Sequence, residues 1–123
     1  LKCVIIVEDS KAVRDQIKSW VADEPFTIIE AVDGHDGYEK IKKLGDEIDL
    51  IISDLKMPNL DGISMLKKLC LENICLDTPK MILTTEPSGN LLKNNKGEIK
   101  NLKVWVVKPL NKERFLSVLK VLL

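Results

Sequence analysis

The stretch Leu50-Ile51-Ile52-Ser53-Asp54 is the most telling in the chain. Three apolar residues with no polar alternate are too short for a helix. They are also too uniformly apolar for a strand with one wet face, and so read as a strand covered on both sides. The run stops at a hydroxyl and a carboxylate. Four other stretches share this form: Cys3–Val7, followed by Glu8-Asp9; Phe26–Ala31; Met81–Leu83, followed by Thr84-Thr85; and Val104–Val107, followed by Lys108.

Helical patterns fill the intervals. From Ser10 to Ala22, the residues Val13, Ile17, Trp20 and Val21 fall on one side, the stripe of an amphipathic helix. Asp36 to Leu44 and Gly62 to Leu71 behave alike, and Phe115, Leu116, Leu119 and Leu122/Leu123 give the last helix its stripe. Ser10, Asp61 and Asn111 are placed to cap helix starts with a side-chain oxygen, and Gly45 to end the second helix. His35 is expected in the turn before that helix. The fourth helix is predicted to be short or distorted. Its apolar points are Leu91, Leu92, Ile99 and Leu102, and Asn94-Asn95-Lys96-Gly97 interrupts them. Five strands alternating with helices predict a parallel α/β sheet.

Composition narrows the function classes. The 123 residues suit one compact domain, with 45% hydrophobic residues for its core. The chain begins with Leu rather than Met, which reads as a trimmed chain, either standing alone or one domain of something longer. Its 19 basic residues match its 19 acidic ones, so no overall basic field for nucleic acid exists. No apolar run approaches the roughly 18 residues of a membrane span, and no signal segment opens the chain. Cys3, Cys70 and Cys75 form no CxxC pair; Cys3 and Cys70 read as small core hydrophobes. A reducing, cytoplasmic setting is expected. Lys93, Lys96, Lys100 and Lys103 read as a solvated face.

The polar residues that follow strands carry the chemistry. Glu8-Asp9, Ser53-Asp54, Thr84-Thr85 and Lys108 all fall at carboxyl ends of predicted strands, the edge where open parallel sheets bind ligands. With strand one beside strand three, Glu8, Asp9 and Asp54 converge. Two unit charges ~4 Å apart repel by about 4 kcal/mol at an effective dielectric of 20. Either one carboxyl keeps its proton or a cation binds. An oxygen-only set without His or Cys suits Mg²⁺. With the ammonium of Lys108 opposite, Asp54 can act as a nucleophile toward a phosphoryl group. Such a transfer needs positioning and charge neutralisation more than acid–base help.

The ordered segments Ile5-Ile6-Val7-Glu8-Asp9-Ser10, Leu50 through Gly62 (with Asp54-Leu55-Lys56-Met57-Pro58 at its centre), Ile82-Leu83-Thr84-Thr85-Glu86 and Val106-Val107-Lys108-Pro109 resemble the receiver domains of two-component response regulators, the CheY-like family. The resemblance runs over essentially the whole chain. It implies a flavodoxin-like, doubly wound (βα)₅ fold with a five-stranded parallel sheet in the order 2-1-3-4-5, residues 1–123 forming a single receiver domain. Asp54 then resembles the phosphoacceptor. Asp9 and Glu8 would bind Mg²⁺, Glu8 directly or through water, and the backbone carbonyl of Lys56 would supply a further ligand. Thr84 resembles the switch hydroxyl, Lys108 the lysine that pairs with the phosphoryl group, and Trp105 the aromatic that swings on activation. A cis Lys108–Pro109 bond is expected by the same resemblance. The implied partners are a sensor histidine kinase or phosphotransfer protein, and a downstream output protein or fused effector domain. The implied role is a signalling switch rather than an enzyme.

Departures from the family's pattern stand at Lys56, Thr85 and Pro87-Ser88-Gly89. Lys56 and Glu86 are expected to pair across the mouth of the site and slow loss of the phosphoryl group. The last departure, with the broken fourth helix, sets apart the face formed by helix four, strand five and helix five. Two competing readings are an aspartyl-phosphate phosphatase and a receiver-like interaction module without phosphorylation. The first wants a second Asp two residues after the nucleophile, where Lys56 stands. The second fits poorly with a cluster that lacks no member. No GxGxxG or GxxxxGK[ST] follows a strand, so a nucleotide-binding reading lacks its motif.

Overall fold

The computed structural model describes residues 1–86 and 97–123. The chain runs β1 (Lys2–Val7), α1 (Lys11–Trp20), β2 (Phe26–Ala31), α2 (Gly34–Leu44), a 3₁₀ turn (Gly45–Glu47), β3 (Leu50–Asp54), α3 (Gly62–Leu71), β4 (Lys80–Thr84), β5 (Leu102–Val107) and α4 (Lys112–Leu122). All strand pairs are parallel, in the order β2-β1-β3-β4-β5. This is the expected doubly wound sheet. The helix expected between β4 and β5, with Leu91, Leu92 and the turn at Asn94-Asn95-Lys96, lies outside the described residues, as do Pro87-Ser88-Gly89 and Lys93.

The apolar runs of the central strands β1, β3 and β4 have a simple cause: both of their faces are covered, whereas the half-buried edge strand β2 carries Thr27 and Glu30. Ile5, Val7 and Ile51 pack with Tyr38, Ile41, Met65, Leu66 and Leu69 of α2 and α3. Val4, Ile6, Leu50 and Ile52 point the other way, onto Ile17 of α1, Val21 at its end, and Phe115 and Leu119 of α4. Each of these residues is almost fully buried, and burying such a side chain contributes about 1.5–3 kcal/mol.

Caps behave as the residue types dictate. Side-chain oxygens of Ser10, Asp61 and Asn111 accept from Val13 N, Ser64 N and Arg114 N, and Gly45 ends α2 at φ 54°. Two expectations at α2 are corrected. The helix starts at Gly34, not Asp36, because Asp33 caps it by accepting from Asp36 N. His35 therefore sits exposed in the first helical turn rather than in a loop.

Four strands are also longer than expected. Lys2, Ser53-Asp54, Lys80, Thr84 and Leu102 join their ladders and Lys103 lies in β5 at the register shift, although polar residues or gaps in the apolar pattern hide them in the sequence. Leu102 thus belongs to β5 and not to the fourth helix, while Ile99 is buried just before it. Lys100 and Lys103 are exposed, as expected of a solvated face. All three cysteines are free, with Cys3 and Cys70 at the core margin. No helix among the described residues is long and apolar enough to cross a membrane.

Lys80, the first residue of β4, is completely buried. Its ammonium donates to three backbone carbonyls, Cys75 O at 2.7 Å, Thr78 O at 3.0 Å and Lys100 O at 2.7 Å. Burial pulls its pKa below the usual lysine value. The β4–β5 register shifts beside this residue, between Lys80 and Met81. The amino-terminal edge of the sheet is thereby fastened by one charged side chain.

Candidate functional site

The opposite edge gathers the polar residues that end strands. Glu8 follows β1 and extends its ladder, donating from N to Ala31 O at 3.0 Å. Asp54 is the last residue of β3, and its Oδ1 accepts from Leu55 N at 2.9 Å. Because β1 pairs directly with β3, Val7 lies beside Ser53 and the residues that follow are neighbours. One carboxylate oxygen from each of Glu8, Asp9 and Asp54 lies within 4.8 Å of the others. Glu8 is 1% exposed and Asp54 7%, whereas Asp9 faces solvent.

Gly62 makes room for this geometry. It donates from N to Leu55 O at 2.8 Å, and a Cβ at this position would run into the Asp54 carbonyl oxygen and Ser53 Oγ. The helix α3 can therefore begin against the end of β3 only with a glycine there.

Lys108 faces the carboxylates. Its Nζ lies 3.1 Å from Glu8 Oε2 and 3.3 Å from Asp54 Oδ1. Its backbone N donates to Thr84 O at 2.7 Å, and the Lys108–Pro109 peptide bond is cis, as expected. Burial first, and then the Asp54 carboxylate, push the Glu8 carboxyl above its ordinary pKa, against the pull of Lys108. For Lys108 burial acts downward, but the carboxylates of Glu8 and Asp54 outweigh it and hold the ammonium above the usual lysine value. The pocket is thus short of positive charge even with its lysine in place. The chemistry of the donor set, three carboxylates without nitrogen or sulfur, fits a hard divalent cation such as Mg²⁺.

Thr84 is buried at the end of β4, and its Oγ1 accepts from Glu86 N at 3.0 Å. Trp105 is half-buried in β5, its indole N–H directed at Glu86 O at 3.5 Å. The exposed ammonium of Lys56 pairs with the Glu86 carboxylate, the contact expected from the sequence.

One participant was not foreseen. Arg14 lies on the inner side of α1, 9% exposed, between the apolar residues Val13 and Ile17. Its Nη1 donates to Glu8 O at 2.6 Å, and its Nε to Glu30 Oε1 at 3.1 Å. The available signal was a charged residue three positions before Ile17 on the apolar face, where a charge must find partners.

Comparison with known proteins agrees with this arrangement. The chemotaxis protein CheY of Treponema pallidum is 35% identical over 122 residues, covering 95% of this chain and 82% of that protein. The chemotaxis response regulator CheY4 of Vibrio cholerae superposes with a TM-score of 0.88 at 30% identity, covering 100% of this chain and 99% of that one. A chain from the CheX–CheY–BeF₃–Mg²⁺ complex of Borrelia burgdorferi gives 0.85 at 27% identity, covering 99% and 90%. The family model described as response regulator receiver domain matches residues 4–120. From its sheet order to the acidic edge beside Lys108, the chain belongs to the receiver-domain family of two-component response regulators.

Proposed function

We propose that residues 1–123 act as one receiver unit in which Asp54 accepts a phosphoryl group from the phosphohistidine of a sensor kinase or phosphotransfer protein. The observation that carries this reading is the approach of Glu8, Asp9 and Asp54 oxygens to within 4.8 Å of one another, with Lys108 Nζ facing two of them. A carboxylate oxygen of Asp54 attacks phosphorus, the P–N bond of the donor breaks, and its electron pair stays on the imidazole nitrogen. The product is an acyl phosphate on Asp54. Lys108 stands where its ammonium can pair with a phosphoryl oxygen, and Thr84 Oγ is the hydroxyl at the end of the neighbouring strand.

Glu8, Asp9, Asp54 and the backbone carbonyl of Lys56 are the groups that would hold Mg²⁺. Bound there, it would supply neutralisation of the carboxylates and of the incoming phosphoryl oxygens. Phosphorylation biases a two-state equilibrium, read out through Thr84 and the aromatic side chain of Trp105. The Lys56–Glu86 pair shields the acyl phosphate from water and slows its hydrolysis. An output protein or fused effector then binds the altered surface, and the setting is the cytoplasm.

The test is incubation with acetyl phosphate and Mg²⁺ followed by intact mass measurement. Wild type gains one phosphoryl group and Asp54→Asn gains none. Equal labelling of both proteins, or of neither, refutes the assignment.

A further inference from the structure

We infer that Arg14 is a positioning residue for the acidic pocket: by holding the Glu8 carbonyl, its guanidinium sets the direction in which the Glu8 and Asp9 carboxylates project. The inference rests on the metal-binding reading above and adds to it a residue outside the pocket.

The geometry begins with the peptide unit. Cα of Glu8, its C and O, and N, H and Cα of Asp9 lie in one plane. Two of the pocket's three carboxylates hang from the two ends of this single plane. Fixing its oxygen therefore fixes the plane from whose two ends both side chains depart. The N–H of Glu8 is already held by Ala31 O at 3.0 Å, but that bond belongs to the preceding peptide. The 2.6 Å contact from Arg14 Nη1 is what holds the next one.

Arg14 is itself well anchored. Its second contact, Nε to Glu30 Oε1 at 3.1 Å, ties the guanidinium to β2. Glu30 is in turn fixed by Lys18 on its other oxygen at 3.0 Å and by Lys40 on its carbonyl at 2.7 Å. A planar fork with its donors in fixed relation can serve both Glu8 O and Glu30, whereas an ammonium is a single point.

Charge alone predicts the opposite outcome to positioning, which makes the inference testable by sign. A guanidinium near a cation pocket repels the cation, so its removal should tighten Mg²⁺ binding through the field. If Arg14 acts by aiming Glu8 and Asp9, its removal weakens binding. Partners that orient metal ligands cost about 10–100-fold in affinity when lost. A contact to the ligand's backbone belongs at the low end, about ten-fold.

The experiment is calorimetric titration of the intact chain with MgCl₂ alone, with no phosphoryl donor. Arg14→Met keeps the aliphatic stem and is expected to raise the Kd about ten-fold. Lys11→Met, which removes an exposed cation of the same helix that pairs with Asp15 at 2.6 Å, is expected to bind as wild type does. An unchanged or lower Kd in Arg14→Met overturns the inference, and so does an equal rise in Lys11→Met. Should Arg14→Met fail to fold, as judged by circular dichroism, Arg14→Lys takes its place. A Kd raised a few-fold supports the inference there, and a wild-type Kd overturns it. A wild type that binds no Mg²⁺ removes the pocket reading itself, an outcome distinct from equal binding by wild type and variant.

Discussion

Replacing Lys80 by Met removes the charge that fastens the amino-terminal edge of the sheet while keeping most of the buried stem. Three hydrogen bonds are lost, to Cys75 O, Thr78 O and Lys100 O. A hydrogen bond to a charged group contributes about 1.5–3 kcal/mol, so the lower figure gives a gross loss of about 4–5 kcal/mol. Two terms offset it. The buried ammonium no longer has to be desolvated, and Cys75 O keeps a second donor, Thr78 N at 3.3 Å. A net destabilisation of about 3 kcal/mol remains, at the low end for breaking a buried charged network. The midpoint of thermal unfolding should fall by about 10 °C for a chain of this size. Urea unfolding followed by circular dichroism at pH 7 measures the loss, with an unchanged slope against urea. Lys80 and Thr84 stand at opposite ends of β4, about 13 Å apart at a strand's rise per residue. Acetyl phosphate should therefore label the folded variant as fully as wild type. A loss below about 1 kcal/mol, or a gain, would refute the reasoning, because well-packed hydrophobic replacements of buried charges are often neutral when no partner is left orphaned.

Three further outcomes are expected. Lys56→Ala should speed dephosphorylation of Asp54 by no more than about five-fold, since an exposed pair is worth under about 1 kcal/mol; a radiolabel decay curve checks this, and an unchanged rate removes the shielding role. Gly62→Ala should cost about 2 kcal/mol or more, because the added Cβ meets the Asp54 carbonyl and Ser53 Oγ, and chemical denaturation reads the loss directly. Lys108→Met should be less stable than wild type at pH 8, and the gap should close in alkali. The folded pKa of Lys108 is raised, so its stabilisation is fully present below the unfolded value of about 10.4 and is lost as pH rises through the folded one. Burial moves Lys80 the other way, but both proteins carry it. A gap that widens between pH 10 and 12 would contradict the assigned ion pairs.

The sheet and the acidic edge were readable because the same residues serve both. Strands covered on two faces need unbroken apolar runs, and the sheet edge that binds ligands puts polar residues where those runs stop. Glu8, Asp54, Thr84 and Lys108 accordingly announce themselves by position. What stayed hidden was charge placed inside apolar surroundings. Lys80 reads as the end of a loop, since nothing local to it reveals that carbonyls from residues 75, 78 and 100 will surround its ammonium. Arg14 falls on the apolar face of its helix, but its partners Glu8 O and Glu30 come into view only once β1 and β2 are packed beneath it. The start of α2 was misplaced for a related reason. Asp33 and Asp36 can each cap a helix, and only the contact between them shows which one does.

The bond from the Lys108 backbone N to Thr84 O, 2.7 Å long, makes the two residues parts of one body. Neither can be repositioned alone, so any pull on the threonine is also a pull on the lysine's main chain. The strand that would follow, β5, has a ladder partner on one flank only among the described residues. It can tilt without tearing a second set of rungs, as a door leaf turns on a single line of hinges. Beyond it, Val104, Val106 and Phe115 line a cleft of about 360 Å³ between β5 and α4. A movement at the pocket that tilted β5 would therefore change the shape of that cleft.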